Sequence, residues 1–225
     1  MIKVVISGYG RMGHMVEAVL KSRGIECAGA SEDISSFDKE IAKDCVCIDF
    51  TTPDAFRANF KSLAENFKAV VVGTTGWNDI KDEVVGCFEK NGTPMVYSPN
   101  FSVGVNVITA AVGMVAKYLG KAGGYAPYIV EKHHIHKLDA PSGTAKSLEE
   151  VVLANMSRKP DVASVRVGEL AGIHTVGFEG ENDRITLEHE AFSRKGFAEG
   201  AVVAALMTEG LTGVHEFKDL FFKED

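Results

Sequence analysis

Hydrophobic and polar positions in the first hundred residues alternate between two textures. Runs at 2–6, 25–30, 45–50, 69–72 and 95–97 are short, β-branched and almost unbroken in apolarity, as in strands covered by helices on both faces. Amphipathic stretches lie between them at about 11–22, 53–66 and 79–90, and Pro53 stands in a first helical turn, where its missing N–H costs nothing. This order predicts a five-strand parallel sheet of nucleotide-binding type, joined by right-handed helical crossovers. Residues 32–44 are too few for a full helix and its loops, so that crossover is abbreviated. Beyond Asn100 a helix is predicted at about 105–118. Strands follow at 128–134, 164–167, 174–178 and 185–190, interrupted by one helix that starts near Ser142 and ends before Pro160. Runs of strands with few helices predict an α+β unit with an open mixed or antiparallel sheet. Helical patterns return at about 196–211 and 216–222.

A chain of 225 residues, 45% apolar and 24% charged, can bury a sizeable core in one large domain or two small ones and is neither disordered nor fibrous. Acidic side chains outnumber basic ones 31 to 24, and no run of Lys or Arg supplies the cationic face that a nucleic-acid partner requires. No apolar stretch approaches the roughly 20 residues needed to span a bilayer. The first residues run straight into a strand pattern without a signal peptide, so no membrane association and a cytoplasmic location are expected. Cys27, Cys45, Cys47 and Cys87 form no C-x-x-C pair and read as inert reduced thiols.

The first chemical motif is Gly8-Tyr9-Gly10-Arg11-Met12-Gly13, a G-x-G-x-x-G placed after a predicted strand and before a predicted helix. In that context Gly8 permits the tight turn and Gly10 lets the backbone approach a pyrophosphate. Gly13 allows close helix–strand packing, and the helix N-terminus faces the negative charge. An acidic residue at the end of the second strand should hold the adenosine ribose, which leaves Glu32 or Asp33. Arg11 could pair with a 2′-phosphate, so both NADPH and NADH are expected cofactors. Two more turns, Phe50-Thr51-Thr52-Pro53 and Gly73-Thr74-Thr75-Gly76, fall at carboxyl ends of predicted strands, where open α/β sheets bind ligands.

The second motif, Glu131 to Ala145, holds three of the seven histidines, two lysines and a helix start. Ser142 can cap that helix, leaving the Gly143 and Thr144 N–H groups as donors for a carboxylate, with Lys137 as a nearby cation. Histidine is suited to deliver a proton when a hydride reaches the neighbouring carbon. A metal site on His134 and His136 is the rival chemistry. No Cys or spaced Asp/Glu completes its ligand set and the lysines would repel a cation, so no metal is expected. A non-catalytic NAD(H)-sensing regulator of the same build is the alternative function.

These ordered motifs resemble the 4-hydroxy-tetrahydrodipicolinate reductase family, also called dihydrodipicolinate reductase, of the diaminopimelate route to lysine. The resemblance rests further on Ser98-Pro99-Asn100-Phe101-Ser102-Val103-Gly104-Val105-Asn106, His133 through Ala145, Ser193-Arg194 and Phe197 to Ala201. It implies a Rossmann-like dinucleotide domain at 1–104 with 195–225, and an α+β substrate and oligomerisation domain at 105–194. It also implies that His133 donates the proton, that Lys137 is a second acid which anchors substrate, and that His134, Ser142, Gly143 and Thr144 grip a small dicarboxylate. The cofactor is implied to lie along Gly8 to Gly13, Glu32, Gly73, Thr74, Thr75 and Ser98 to Phe101, with Arg194 and Phe197 closing on it. Family members are commonly tetrameric through the substrate-domain sheet, so a homo-oligomer is expected. The chain departs from the family by being short at 32–44 and around 157–165, by a tighter glycine loop, and by unusual wording before His174-Thr175-Val176.

Overall fold

A computed structural model describes residues 2–223, which fall into two compact units. One unit runs through Ser102 and resumes at Lys195; the other is Val103–Arg194. In chain order the elements are β1 (Lys3–Ser7), α1 (Arg11–Ser22), β2 (Glu26–Ser31), α2 (Lys39–Ala42), β3 (Cys45–Asp49), α3 (Pro53–Asn66), β4 (Ala69–Val72), α4 (Lys81–Asn91) and β5 (Met95–Tyr97). There follow α5 (Val103–Ala122), β6 (Ala126–His133), α6 (Gly143–Leu153), β7 (Asp161–Arg166), β8 (Gly172–Glu179), β9 (Arg184–Ala191), α7 (Lys195–Met207), β10 (Val214–Glu216) and α8 (Phe217–Phe221).

The first unit is built on a six-stranded sheet of order β10-β5-β4-β3-β1-β2, parallel at every pairing. Alternate residues Val5, Cys45, Cys47, Val70 and Val72 pack on Phe56, Phe60 and Leu63 of α3 and on Val84 and Phe88 of α4. Their neighbours Val4, Ile6, Val46, Ile48 and Val71 are equally buried, on the side where α1 and α7 pack. Burial on both faces explains why these strands are apolar throughout. The buried face of α7 is made of small residues, and an added Cβ at Gly200 would drive into the carbonyl of Phe101.

The second unit carries a four-stranded mixed sheet, β7-β6-β8-β9. β6 and β7 are parallel, with α6 between them in sequence, whereas β8 pairs antiparallel with both β6 and β9. Burial along β6 alternates strictly, with Pro127, Ile129, Glu131 and His133 on the covered face. That face packs on Ile108, Val112 and Ala116 of α5 and on Ala145, Leu148 and Val152 of α6.

The fold class is the expected α/β sheet with a second, mixed sheet, but the details differ in several places. A sixth strand, β10, joins the first sheet beside β5, and the last long helix stops at Met207 rather than near 211. The short crossover at 32–44 holds a 3-10 turn at Ile34–Ser36 and the single-turn α2. The strand predicted to reach His134 ends at His133. By length and composition α5, at 20 residues, could cross a membrane, where no such stretch was expected; its apolar positions continue past the predicted end near 118. Cys45 and Cys47 are buried, Cys27 and Cys87 are half-buried, and all four are free.

Candidate active site

In the first unit the chain reverses direction of travel at β1, whose neighbours are β2 and β3, and an open α/β sheet binds ligands at such a switch point. The loops leaving the strands are stitched to one another. Gly8 N donates to Ser31 O (2.9 Å), Phe50 N to Ser7 O (2.9 Å), Gly73 N to Asp49 O (2.8 Å) and Ser98 N to Val72 O (3.2 Å). Beneath them lies Asp49, fully buried. Its carboxylate accepts from Ser7 Oγ (2.6 Å), Thr74 Oγ1 (2.5 Å) and Thr51 Oγ1 (3.1 Å). Burial pushes its pKa up and the three hydroxyls pull it back only in part. Thr74, predicted to face the cofactor, therefore turns its hydroxyl inward, where it also accepts from Thr51 N (2.7 Å).

The three glycines of the loop separate by role. A Cβ on Gly8, which has φ +85°, would meet Phe50 O at 2.5 Å, and one on Gly13 would strike the Gly8 carbonyl. A Cβ on Gly10 meets nothing within 4 Å. Gly8 and Gly13 are thus required by the fold. Gly10 is not, and its bare backbone at the start of α1 is the cradle a pyrophosphate would occupy. Glu32 and Asp33 differ in the partners they hold. Asp33 caps its own turn, accepting from Ser35 N (3.2 Å) and Ser35 Oγ (2.6 Å), whereas exposed Glu32 accepts from Tyr9 N (2.9 Å) within the glycine loop. The Tyr9 ring packs tilted against His14 with ring centroids 4.0 Å apart, Arg11 is exposed and Met12 half-buried.

A cavity of about 270 Å³ gathers Thr74, Thr75, Ser98 and Pro99, all predicted, with Trp77, Lys81, Tyr97 and Glu216, which sequence reading missed. Trp77 Nε1 donates to Thr74 O (2.7 Å), and Lys81 Nζ sits 4.9 Å from the Tyr97 ring. Asn100 Oδ1 accepts from Ser102 N (2.9 Å), and buried Phe101 packs its ring on Phe50 and Phe217. Phe197 is half-buried in α7, while Arg194 is exposed at the end of the second unit.

In the second unit the reactive side chains converge at the end of β6. His133 shares the covered strand face with Glu131, whose Oε2 takes its Nδ1. Burial lowers the His133 pKa while Glu131 opposes the shift. Glu131 is itself fully buried; burial would raise its pKa, but Arg166, Ser164 and His133 bring it down to about 2. The chain then turns, with His134 N donating to Leu170 O (2.8 Å) and Lys137 N to His134 O (3.2 Å). Lys137 Nζ meets Asp139 Oδ1 at 2.8 Å. That carboxyl is held below its usual range by Lys137 first and also by the Gly143 N–H, so it rests between the cation and the helix tip predicted to take a substrate carboxylate.

Ser142 caps α6, its Oγ accepting from Ala145 N (3.2 Å), and lies 3.0 Å from His174 Nε2. His174 was not foreseen. Its ring is 5.0 Å from that of His133 and its pKa falls to about 4, through burial first and then the nearby His133. The Nδ1 atoms of His134, His174 and His189 are buried without a hydrogen-bond partner. His136 stays out, exposed beside Glu169 at 3.4 Å.

A parallel sheet with a glycine cradle at its switch point, and a mixed sheet bearing a carboxylate-held imidazole, define a dinucleotide-dependent oxidoreductase of two units. Comparison with known proteins narrows the class. The model of dihydrodipicolinate reductase, N-terminus, matches residues 2–101, and that of its C-terminus matches 104–221. 4-Hydroxy-tetrahydrodipicolinate reductases of Christiangramia forsetii and Methanococcoides burtonii are each 34% identical, over 97% and 98% of this chain and 97% and 99% of theirs. The dipicolinate-bound dihydrodipicolinate reductase from Paenisporosarcina sp. TG-14 shares the fold at TM-score 0.81 and 22% identity, covering 97% of this chain and 99% of that one. The chain belongs to the dihydrodipicolinate reductase family. It is accordingly a pyridine-nucleotide-dependent reductase of the diaminopimelate route to lysine, and its substrate is a small molecule.

Proposed function

We propose that the second unit binds the family's cyclic imine dicarboxylate and protonates it, while the first unit holds the nicotinamide nucleotide along Gly8 to Gly13, Glu32 and the 73–75 and 98–101 turns. The observation that carries this reading is the meeting of a carboxylate-held imidazole, an ammonium and a helix N-terminus at the end of β6. When bound, the reduced nicotinamide supplies a hydride to substrate C4. His133 delivers the proton, with Lys137 as second acid. His134, Ser142, Gly143 and Thr144 hold the carboxylates, which displace Asp139 from Lys137. Positioning supplies much of the rate. Arg194 and Phe197 are assigned to the cofactor by family resemblance.

Glu32 makes NADH the favoured cofactor. A carboxylate placed in the glycine loop accepts ribose hydroxyls and repels a 2′-phosphate, while Arg11 allows NADPH to be used as well. The active form is a cytoplasmic homo-tetramer joined through the sheet face away from α5 and α6, which presents Tyr128, Val130, Val165 and Ile173. The test is nicotinamide oxidation on adding freshly made product of the dihydrodipicolinate synthase reaction, with NADH and NADPH compared in the parent and in Glu32→Ala. Turnover is expected with both, and the variant loses its preference for NADH. Tight nucleotide binding without consumption would instead indicate a sensor, and an unchanged preference would move the ribose contact away from Glu32.

A further inference from the structure

Behind the reactive groups lies an ion pair that the chemistry above leaves unused. Arg166 meets buried Glu131 with two nitrogens, Nη2 to Oε1 at 2.8 Å and Nη1 to Oε2 at 3.0 Å. A buried pair of this kind adds little net stability, because desolvation offsets the attraction. Its other contacts give it a purpose. Glu131 Oε2 also engages His133 Nδ1, two residues along the same strand face. The same guanidinium reaches the following loop, with Nε donating to Lys137 O (3.2 Å) and Nη2 to Asp139 O (2.7 Å). A planar five-donor fork can hold a carboxylate and two carbonyls at once, which an ammonium on a flexible stem cannot.

We propose that Arg166 and Glu131 are positioning residues which lock the His133 imidazole and the Lys137 loop into one fixed relation, with Nδ1 held by Glu131 and Nε2 left to transfer the proton. The neighbouring strand fits this orientation: a Cβ on Gly172 would lie 2.9 Å from His133 Nε2, so glycine keeps that side of the ring clear. The inference rests on His133 as proton donor. In the transfer the Nε2–H bond breaks and a substrate C–H bond forms. The ring returns to its neutral form with Nδ1–H on Glu131, which keeps its charge throughout, and the hydride comes from the reduced nicotinamide. The charged or titratable groups facing His133 are Glu131 on its own strand, Arg166 from β7, His174 from β8 and Lys137 from the loop.

Glu131→Gln keeps the shape and removes the charge, so kcat should fall about 10- to 100-fold, less than the roughly 10²–10⁴-fold that the proton donor itself contributes. The KM values for nicotinamide and dicarboxylate should change less than about threefold. The alkaline limb of the kcat profile should move to lower pH, because the imidazolium has lost its counter-charge. Arg166→Lys should retain more of that limb than Arg166→Ala, yet raise the dicarboxylate KM because the loop carbonyls are released. A merely structural role would lower the active fraction and leave the limb in place. Nitrogen NMR of histidine-labelled, ligand-free parent protein gives a readout independent of turnover and of variant folding. Neutral His133, identified by the resonance lost in His133→Gln, should carry its proton on Nδ1. A proton on Nε2, or an unmoved pH limb in Glu131→Gln, would overturn the proposal. An Nδ1 proton in a protein that oxidises no nicotinamide would instead sink the assigned reaction and leave the clamp standing.

Discussion

Replacing Asp49 with alanine removes the carboxylate that accepts from three loops of the nucleotide platform. Ser7 Oγ, itself only 1% exposed, loses its 2.6 Å partner, and a stranded buried hydroxyl costs about 1–3 kcal/mol. Thr74 Oγ1 loses less, because Thr51 N still donates to it at 2.7 Å and Thr51 Oγ1 lies 3.3 Å away. Relief of the desolvated carboxyl offsets part of the loss, leaving a net destabilisation of about 1–3 kcal/mol. For a chain of this size that corresponds to a fall in Tm of roughly 2–12 °C. Because Ser7, Thr51 and Thr74 stand at the ends or exits of β1, β3 and β4, the nucleotide KM should rise about tenfold, equivalent to about 1.4 kcal/mol. Asp49→Asn keeps one carbonyl oxygen and should lose about half as much. The sign with pH is also set: a carboxyl whose folded pKa lies above 3.8 contributes most below that value, and the contribution is lost as pH rises through the folded pKa. Thermal melts and steady-state nucleotide kinetics decide the matter. An alanine variant melting within about 1 °C of the parent, with an unchanged nucleotide KM, would refute the role of Asp49.

The loop glycines offer a second contrast. Gly10→Ala should melt within about 0.5 kcal/mol of the parent and yet bind nucleotide about tenfold more weakly, since its Cβ meets no protein atom within 4 Å. Gly13→Ala should instead lose fold stability, because its Cβ strikes the Gly8 carbonyl; equal melting of the two variants would contradict this division. Acidification should destabilise the second unit in two stages. His174 resists protonation down to about 4 while an unfolded histidine titrates near 6.5, so up to about 3 kcal/mol is lost as pH falls between those values. Glu131 then loses its contribution as pH falls from 4.5 towards about 2. Denaturant unfolding of the parent and His174→Gln across that range checks this, and parallel curves between about pH 6.5 and 4 would exclude His174 as the first-stage group.

The elements most legible from sequence were those whose burial leaves a periodic mark. β1, β3 and β4 are covered on both faces and so form unbroken apolar runs, while α3 announces itself through Pro53 in the first turn. β10 left no such mark. Its three residues, Val214, His215 and Glu216, are all half-buried, and they form a strand because Met95 N bonds Gly213 O and β5 offers a free edge. Glu32 and Asp33 were indistinguishable as letters and part only through the Ser35 turn that occupies Asp33.

The candidate site divides by the same logic. His133, Lys137 and Ser142 lie within ten residues, so a linear reading finds them together. Arg166 and His174 reach the same place only through pairing. Parallel register sets Arg166 opposite His133, and antiparallel register sets His174 opposite Glu131. Strand alternation could place Glu131 on the face of His133, two residues away, but no local pattern states which residue lies across the ladder. The groups that hold a reactive side chain in a sheet are therefore chosen by register. A one-residue slip of β7 would carry Arg166 to the opposite face, leaving Glu131 a buried charge without its cation. The requirement that this charge be paired thus favours the register that also orients His133, so the same contact that positions the imidazole helps to specify the sheet around it.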